Sequence, residues 1–483
     1  MAQTADGAGS RPFRLRLVLV GLILLGVWLR LPGIWANTFH ADEALFATWA
    51  RHIAVWKDPL LVSQLVDKPP LLFYLQALFY PLLATPAGWP ARFPDWIASI
   101  LLLLLLARAS WRLYNDERHT LLTTALLCLS PLAIQFSPTA FTDPLLTALL
   151  LAALVALLER RAGLSGILFG LALASKYQAA LFLPLIVAVG WLDGVGRGRW
   201  LRWLAGFLPA LLLVAGWELL RTGEFLLWTN QVASYGGIRL ASPAEIWRQL
   251  PHWGYLLTFI LGPASLALLF LPALLATAAQ SHTARRDQAL ALMVIFYAAV
   301  HLLLNVTAWD RYLLPILPIL LLLLARFILA VIDWLVARWP RVRPAAALPA
   351  LLLLGLMVPG ALTARQGGHA VGGQPNADSG AAAAAAYLET MPWGTVLYDH
   401  YYSWQWRFYF LDRPVYVNWQ PDSHSLARDL AVHGHDDTLR FLAWPATVAT
   451  ARLENDLARA GYTLQFERRF SQINLYQILP DGS

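Results

Sequence analysis

The sequence has little charge and almost no cysteine. Only 13% of its 483 residues are charged, against roughly 25% in a soluble globular domain, which excludes an ordinary soluble protein. The hydrophobic fraction of 58% indicates a polytopic membrane protein instead. The only cysteine, Cys128, lies inside an apolar run, so no intramolecular disulfide can form and the redox compartment is left open.

The net charge of +7 would suggest an acidic partner if the protein were soluble. Most arginines, however, lie between apolar runs, where they set membrane topology. We therefore predict no binding to nucleic acid.

The first apolar segment starts at Leu17, after Arg11, Arg14 and Arg16. No clear small-x-small cleavage site follows it, so we interpret it as an uncleaved signal anchor rather than a signal peptide. Residues 1–16 are then a cytoplasmic tail.

The apolar pattern predicts a mainly α-helical fold with about eleven transmembrane helices, since a span needs roughly 17–25 apolar residues. The predicted spans are 17–32, 93–111, 119–136, 142–159, 163–175, 177–192, 200–220, 253–278, 288–307, 311–336 and 345–363. With the N-terminus inside, every inward-facing loop is basic, as the positive-inside rule requires. The arginines of these loops are Arg108, Arg112, Arg118, Arg160, Arg161, Arg197, Arg199, Arg202, Arg285, Arg286, Arg338, Arg341 and Arg343.

This topology requires that the apolar run 71–83 does not cross the membrane. The run is short, follows Pro69-Pro70 and contains Gln76 and Pro81, so we predict an interfacial helix on the outer surface. Residues 163–192 are interrupted near Lys176 and predict two short spans that meet at an outer turn.

The composition changes near residue 364 to a Gly-rich and polar segment, followed by a six-alanine run. Residues 395–398, 415–419 and 472–479 resemble strands, and 451–460 resembles a helix. We predict three parts: the tail, a transmembrane domain over 17–363 with a first outer loop at 33–92, and a small extracytoplasmic α/β domain over 364–483.

The predicted topology brings several charged motifs to the outer face. They are Asp42-Glu43, Asp67-Lys68, Arg92 with Asp95, Thr142-Asp143, Lys176, the loop 221–252 and Asp310-Arg311-Tyr312. Charged residues at a membrane boundary indicate function. Cations there can hold a lipid phosphate, and a carboxylate can take the proton from an acceptor hydroxyl.

These motifs resemble the C-superfamily membrane glycosyltransferases, and most closely the branch of the lipid A aminoarabinose transferases and the protein O-mannosyltransferases. The resemblance covers roughly residues 15–340. It is carried by Asp42-Glu43-Ala44, Asp67-Lys68-Pro69-Pro70, Arg92-Phe93-Pro94, Asp143-Pro144 and Arg311-Tyr312-Leu313-Leu314-Pro315. Members of that superfamily transfer a sugar from a polyprenyl phosphate on the non-cytoplasmic side, usually with inversion.

The resemblance implies roles for individual residues. Asp42 matches an essential acid of the first outer loop, Glu43 its partner, and Asp143 a second acid. Lys68 matches a lysine proposed to contact the donor phosphate. We add Lys176, Arg311 and Tyr312 as candidates for the same contact, because they lie on the same face.

Each candidate also has a purely structural alternative. Asp42 can cap the helix that follows it, and Glu43 can be a first-turn acid, a metal ligand or an acceptor contact. Lys68 can be an interfacial anchor, and Asp143 an N-cap before proline. Arg311 with its neighbouring tyrosine can be an ordinary membrane-boundary pair.

The sequence identifies no certain cofactor. His40 lies two residues before Asp42, so these two residues and Glu43 are the candidates for a divalent cation, Mg²⁺ or Mn²⁺ rather than Zn²⁺. No cluster of His and Cys at metal-ligand spacing is found elsewhere in the sequence.

We therefore predict an inverting glycosyltransferase with Asp42 as general base. The partners are a polyprenyl-phosphate sugar, membrane lipid, and an acceptor that is a glycan, a lipid or a protein, since no C-terminal motif identifies it. The resemblance favours a bacterial plasma membrane. Two rivals are a transporter or flippase of lipid-linked sugars, although no internal repeat is seen, and a non-catalytic membrane scaffold.

Overall fold

The computed structural model describes residues 10–80, 87–276, 284–304 and 306–481. The first half of the chain contains helices α1 (Ser10–Arg30), α2 (Gly33–Ala36), α3 (Ala41–Ala54), α4 (Leu71–Ala77), α5 (Trp89–Tyr114), α6 (Glu117–Leu129), α7 (Pro131–Phe136), α8 (Thr142–Leu158), α9 (Ala162–Ser175), α10 (Leu183–Leu192) and α11 (Arg197–Thr222). It continues with α12 (Leu227–Ser234), α13 (Pro243–Leu261), α14 (Ala264–Ala267), α15 (Phe270–Leu275), α16 (Ala284–Leu303), α17 (Leu317–Arg338) and α18 (Leu348–Arg365). Short 3₁₀ helices lie at Tyr177–Phe182, Asp310–Leu313 and Pro340–Ala345.

The C-terminal part mixes helices with a sheet. Its elements are α19 (Ala381–Leu388), β1 (Val396–Asp399), α20 (Ser403–Tyr409), β2 (Tyr416–Trp419), α21 (Ser423–His433), β3 (Arg440–Pro445), α22 (Ala451–Arg459), β4 (Tyr462–Phe470) and β5 (Ile473–Pro480). The sequence predicted β1, β2, α22 and β5, whereas β3, β4 and the other three helices were not assigned. The predicted fold class, mainly helical with a small C-terminal α/β part, is confirmed.

Six helices of the described residues are long and apolar enough to cross a membrane, and the protein is an integral membrane protein. They are Leu15–Ala36, Trp89–Tyr114, Arg197–Thr222, Ala284–Leu303, Leu317–Arg338 and Pro340–Arg365. Three shorter apolar helices, Thr142–Leu158, Ala162–Ser175 and Tyr177–Leu192, match further predicted spans. The total of eleven stays a prediction.

Two predicted spans are not continuous helices. The span 119–136 breaks at Ser130, whose backbone is extended (ψ 116°) because a residue before proline avoids the helical region. The span 253–278 bends by 105° between α13 and α14, where Gly262 has φ +93° and Pro263 follows. Both breaks lie next to a proline, Pro131 in the first span and Pro263 in the second.

The predicted break at Lys176 is present, since this residue is extended between α9 and the 3₁₀ helix Tyr177–Phe182. In the described part of the run 71–83, helix α4 has seven residues and is too short to span, as predicted. One face of α4 is packed inside the protein, where Leu72 and Phe73 are fully buried. The end of this run, residues 81–83, and most of the predicted tail, residues 1–9, lie outside the described residues.

Glycines allow α9 and α11 to pack backbone against backbone. A Cβ atom on Gly166 would lie 1.9 Å from the carbonyl oxygen of Trp203, and one on Gly206 would lie 2.2 Å from that of Gly163. Such small residues permit the close helix contacts found in membrane proteins. This packing fixes the end of α9, and therefore the position of Lys176.

The five strands form one sheet in the order β2-β1-β3-β5-β4. Strand β1 pairs in parallel with β2 and β3, and the β4–β5 hairpin adds antiparallel strands at the other edge. Helices α19 and α20 bury apolar residues on one face of the sheet, and α21 and α22 do so on the other.

The C-terminal part is packed onto the first outer loop through α3 and α20. Arg51, in the last turn of α3, donates hydrogen bonds to the carbonyl oxygens of Phe408 and Leu411. The Phe408 side chain is fully buried in the main apolar core. Because Asp42 lies in the first turn of the same helix, α3 links the C-terminal part to the predicted site.

Candidate active site

One cavity of about 280 Å³ collects most of the residues that the sequence singled out. It is lined by Asp42, Leu45, Phe46, Asp67, Lys68, Phe141, Thr142, Asp143, Lys176, Ser234, Tyr235, Thr307, Trp309, Arg311 and Tyr312. Six of the eight predicted site residues are in this set, and Glu43 and His40 are not. We call this the acid–base cavity.

Arg311 lies between Asp42 and Asp143, two of the three catalytic acid candidates. Its Nη2 atom is 2.8 Å from Oδ2 of Asp42, and its Nε atom is 3.9 Å from Oδ2 of Asp143. The rings of Phe141 and Trp309 lie 4.7 and 5.0 Å from the guanidinium carbon. A flat cation held between rings and two carboxylates has a fixed orientation.

The two acids differ in their surroundings. Asp143 is buried, and its Oδ1 atom accepts a hydrogen bond from Lys176 Nζ at 2.6 Å. The Asp42 side chain is 39% exposed and faces the cavity. Asp42 is therefore the carboxylate that an incoming hydroxyl group can reach.

Lys68 occupies the other side of the cavity and forms an ion pair with the neighbouring Asp67. Its ammonium nitrogen lies 5.9 Å from the centre of the Tyr235 ring, and the Tyr235 hydroxyl shares a hydrogen bond with that of Tyr312. Lys176 lies 4.6 Å from the centre of the Tyr312 ring. Tyr312 thus contacts two sides of the cavity.

Each cation of the cavity is paired with a carboxylate: Lys68 with Asp67, Lys176 with Asp143, and Arg311 with Asp42. The three pairs balance in charge. A bound phosphate group must therefore compete with these carboxylates for the cations, which the sequence alone did not predict.

A segment after α18 reaches the edge of the cavity. Asp310 accepts a hydrogen bond from the Arg311 amide at 2.7 Å and another from the Gly372 amide at 2.8 Å. The backbone that carries Arg311 is therefore held by the segment that leads to the C-terminal part.

The chain is similar to one protein family in sequence and to solved membrane proteins in structure. Residues 67–217 match the family model of dolichyl-phosphate-mannose-protein mannosyltransferase. No curated protein matches the sequence. Two crystal structures of ArnT from Cupriavidus metallidurans superpose with most of the chain. The apo form gives a TM-score of 0.64 at 15% identity, with 97% of this chain and 98% of ArnT covered. The form bound to undecaprenyl phosphate gives 0.61 at 16% identity, with 98% of both chains covered.

The oligosaccharyltransferase of Archaeoglobus fulgidus in the apo form has a TM-score of 0.56 at 13% identity, covering 94% of this chain and 73% of that one. The chain shares its fold with ArnT and with this oligosaccharyltransferase. Together with the family model, this shared fold indicates a glycosyltransferase, and the resemblance predicted from the sequence is confirmed.

Glu43 does not face the acid–base cavity of this glycosyltransferase, although the sequence pointed to a catalytic role. Its carboxylate is buried and accepts hydrogen bonds from the amides of Ala140 at 2.7 Å and His40 at 3.0 Å. Burial raises the pKa of the Glu43 carboxyl group, while the positive charge of Arg92 and the two amides oppose this shift. In this structure Glu43 holds the start of α3 against the segment before α8, and its catalytic role stays a prediction.

The candidate ligands for a divalent cation do not converge. His40 uses Nδ1 to accept a hydrogen bond from the Asp42 amide at 3.2 Å, as the N-cap of α3. Glu43 completes this capping box. Among the described residues, no group of three or more His, Cys, Asp or Glu side chains is arranged to hold a metal ion.

Sequence reasoning missed four aromatic residues of the cavity, Phe46, Phe141, Tyr235 and Trp309. Tyr235 lies in the outer loop 221–252 and precedes Gly236 and Gly237, both with positive φ. That glycine pair was the available signal, since it marks a tight turn after α12.

Proposed function

We propose that this protein transfers a monosaccharide, with inversion, from a polyprenyl-phosphate donor to an acceptor hydroxyl group on the non-cytoplasmic membrane face. The observation that supports this best is the convergence of three cations and an accessible carboxylate on one cavity. The solved structures with bound undecaprenyl phosphate and dolichol-phosphate agree with a lipid-phosphate donor.

In the proposed reaction Asp42 takes the proton from the acceptor hydroxyl group. The acceptor oxygen attacks the anomeric carbon of the sugar, and the bond from that carbon to the phosphate oxygen breaks. The electron pair leaves with the polyprenyl phosphate, which gains negative charge. Lys68 and Arg311 stabilise this charge, and Lys176 adds to the positive potential.

Binding of the phosphate also prepares the base. When the phosphate takes over Arg311, the ion pair with Asp42 weakens and the carboxylate becomes free to accept a proton. Asp143 remains paired with Lys176 and keeps the local charge near balance. Asp143 then acts by holding Lys176 and Arg311 rather than as a second base.

Apolar side chains that a lipid tail would contact begin one turn beyond Asp143. Thr147 on α8 lines a narrow crevice of about 20 Å³ with Leu150, Leu151 and Pro318, which would have to widen to admit the tail. Leu185 lines both this crevice and a groove of about 660 Å³ between α10 and α16. A polyprenyl chain along these side chains would have its phosphate end at the acid–base cavity.

The proposed site requires the orientation set by the basic loops, with the N-terminus in the cytoplasm and the C-terminal part outside, in a bacterial plasma membrane. A divalent cation, if one is used, would have to be held by the phosphate together with Asp42, because Glu43 and His40 are turned away.

The decisive test follows label release from radiolabelled polyprenyl-phosphate sugars, incubated with purified protein and membrane extract. Asp42→Asn should lower the release rate about 10²–10⁴-fold, the usual contribution of a general base. Asp437→Asn, at an exposed position of the C-terminal part, is the matched control. Full turnover by Asp42→Asn would exclude the base role, and label kept on the lipid by the wild type would instead favour transport.

A further inference from the structure

The C-terminal part contains a second cavity, of about 310 Å³. It lies at the carboxyl ends of β1 and β2 and beside β3, and we call it the sheet-end cavity. The residues that matter for its chemistry are Asp399, Tyr401, Gln420, Asp422, Trp444 and Arg452. It shares no residue with the acid–base cavity.

The strand order explains why a cavity forms here. Strand β1 has β2 on one side and β3 on the other. The helix that follows β1, α20, packs on one face, whereas α21, which follows β2, packs on the opposite face. The two loops therefore separate at the carboxyl ends of the strands, which is where parallel α/β sheets bind their ligands.

The cavity presents an aromatic surface that is already rigid. The Tyr401 ring meets the Trp444 ring edge to face at 5.2 Å, and Trp444 Nε1 donates to the Val448 carbonyl oxygen at 3.1 Å. Tyr401 nevertheless remains 43% exposed. A flat, exposed ring on fixed support suits the apolar face of a sugar ring, because little side-chain entropy is lost on binding.

The polar groups of the cavity favour a neutral ligand. The Asp399 carboxylate accepts hydrogen bonds from the amides of Tyr401 and Tyr402. Asp422 caps α21 by accepting from the Ser425 amide at 2.7 Å. Both carboxylates keep lone pairs for hydroxyl donors, but their negative charge opposes a phosphate or nucleotide. Arg452, on α22, adds a hydrogen-bond donor.

We propose that the sheet-end cavity binds a neutral stretch of a glycan. An exposed aromatic ring for the sugar face, together with fixed acceptors and an arginine for its hydroxyl groups, defines that class of ligand. The proposal goes beyond the transfer reaction and does not depend on it. If the proposed function holds, the bound glycan is part of the acceptor, held outside the membrane by the C-terminal part.

Isothermal titration calorimetry on the full-length protein in detergent tests this proposal. The probes are mannohexaose, maltohexaose and chitohexaose, with AMP as the anionic comparison. At least one hexasaccharide should bind, and Tyr401→Ala should weaken its binding about tenfold, the size of one lost stacking contact. Tyr416→Ala is the matched control, because this tyrosine is 59% exposed on β2 and does not line the cavity.

Arg452→Ala gives a second variant on an exposed helix position, in case Tyr401→Ala does not fold, and it should also weaken binding. Asp42→Asn should bind the saccharide as the wild type does, so that loss of transfer and loss of glycan binding are separate results. The proposal is overturned if no hexasaccharide binds at millimolar concentration, if AMP binds in preference, or if Tyr416→Ala weakens binding as much as Tyr401→Ala does.

Discussion

Arg311 forms an ion pair with Asp42 at 2.8 Å, although the two residues are 269 positions apart in the sequence. Asp42 lies in the first turn of α3, and Arg311 lies in the 3₁₀ helix before α17. The pair joins an early and a late segment of the predicted transmembrane domain. It also holds the guanidinium group 3.9 Å from Asp143, so one cation orients both acids.

Replacing Arg311 by lysine tests this geometry. Arg311→Lys keeps the charge but loses the planar group that reaches both carboxylates. We expect kcat/KM for the donor to fall about tenfold to a hundredfold, the size of one lost charged hydrogen bond. Arg239→Lys is the control, because Arg239 forms an exposed ion pair with Glu245 outside the cavity. Unchanged kcat/KM for Arg311→Lys would show that only its charge matters.

Lys68 should act mainly on donor binding. Lys68→Ala removes the cation nearest to Tyr235 and leaves Asp67 unpaired in the cavity, which repels a phosphate. We expect the KM for the donor to rise at least about tenfold, as for the loss of one charged contact. Adding Asp67→Asn should recover part of the loss by removing the repulsion. Lys57→Ala is the control, because this exposed lysine is paired with Asp412, and it should leave the KM for the donor unchanged. A wild-type KM for Lys68→Ala would refute a contact between Lys68 and the phosphate.

Glu43 should matter for stability rather than for chemistry. Glu43→Ala leaves the amides of Ala140 and His40 without their acceptor, at a cost of about 1–3 kcal/mol. We expect a lower midpoint of thermal unfolding in detergent and near-normal turnover per folded molecule. Glu43→Gln keeps one acceptor oxygen and should lie between the alanine variant and the wild type. If Glu43→Ala unfolded normally but lost turnover, the structural role would be wrong.

The packing of α9 on α11 predicts a steric effect. A methyl group at Gly166 meets the Trp203 carbonyl oxygen, so Gly166→Ala should destabilise the protein by about 1–3 kcal/mol through overpacking. Gly216→Ala, on α11, meets nothing within 4 Å and should be neutral or stabilising. Thermal unfolding of both variants checks this, and equal midpoints would contradict the close contact.

The convergence of the outer motifs could be predicted because it follows from topology. Arginine counts placed Lys68, Asp143, Lys176 and Arg311 on one side of the membrane, and the structure brings these four into one cavity. Charge patterning therefore gives the membrane face on which the residues meet, but it does not give their pairing. The ion pair between Lys68 and Asp67 depends on how the two side chains are oriented. Their being adjacent in the sequence does not determine this.

The different positions of Asp42 and Glu43 follow from helix geometry. Neighbouring residues on an α-helix point about 100° apart, and in α3 Asp42 lines the cavity whereas Glu43 turns towards the Ala140 amide. The sequence did not show which of the two would line the cavity, because that depends on how α3 packs. Tyr235 was missed for a related reason. The turn at Gly236 and Gly237 brings its side chain to the cavity, and the direction of that turn depends on how the chain folds.

Helix α3 also connects the C-terminal part to the acid–base cavity. Asp42 and Arg51 lie nine positions apart in α3, about 14 Å along its axis, and Arg51 makes the contact to α20. A tilt of the C-terminal part by about 4° around that contact would displace the carboxylate by about 1 Å, a misplacement large enough to slow a reaction substantially. The stiffness of the contact between α3 and α20 therefore determines how accurately Asp42, the proposed base, is positioned. A movement of the C-terminal part is transmitted to this carboxylate through α3.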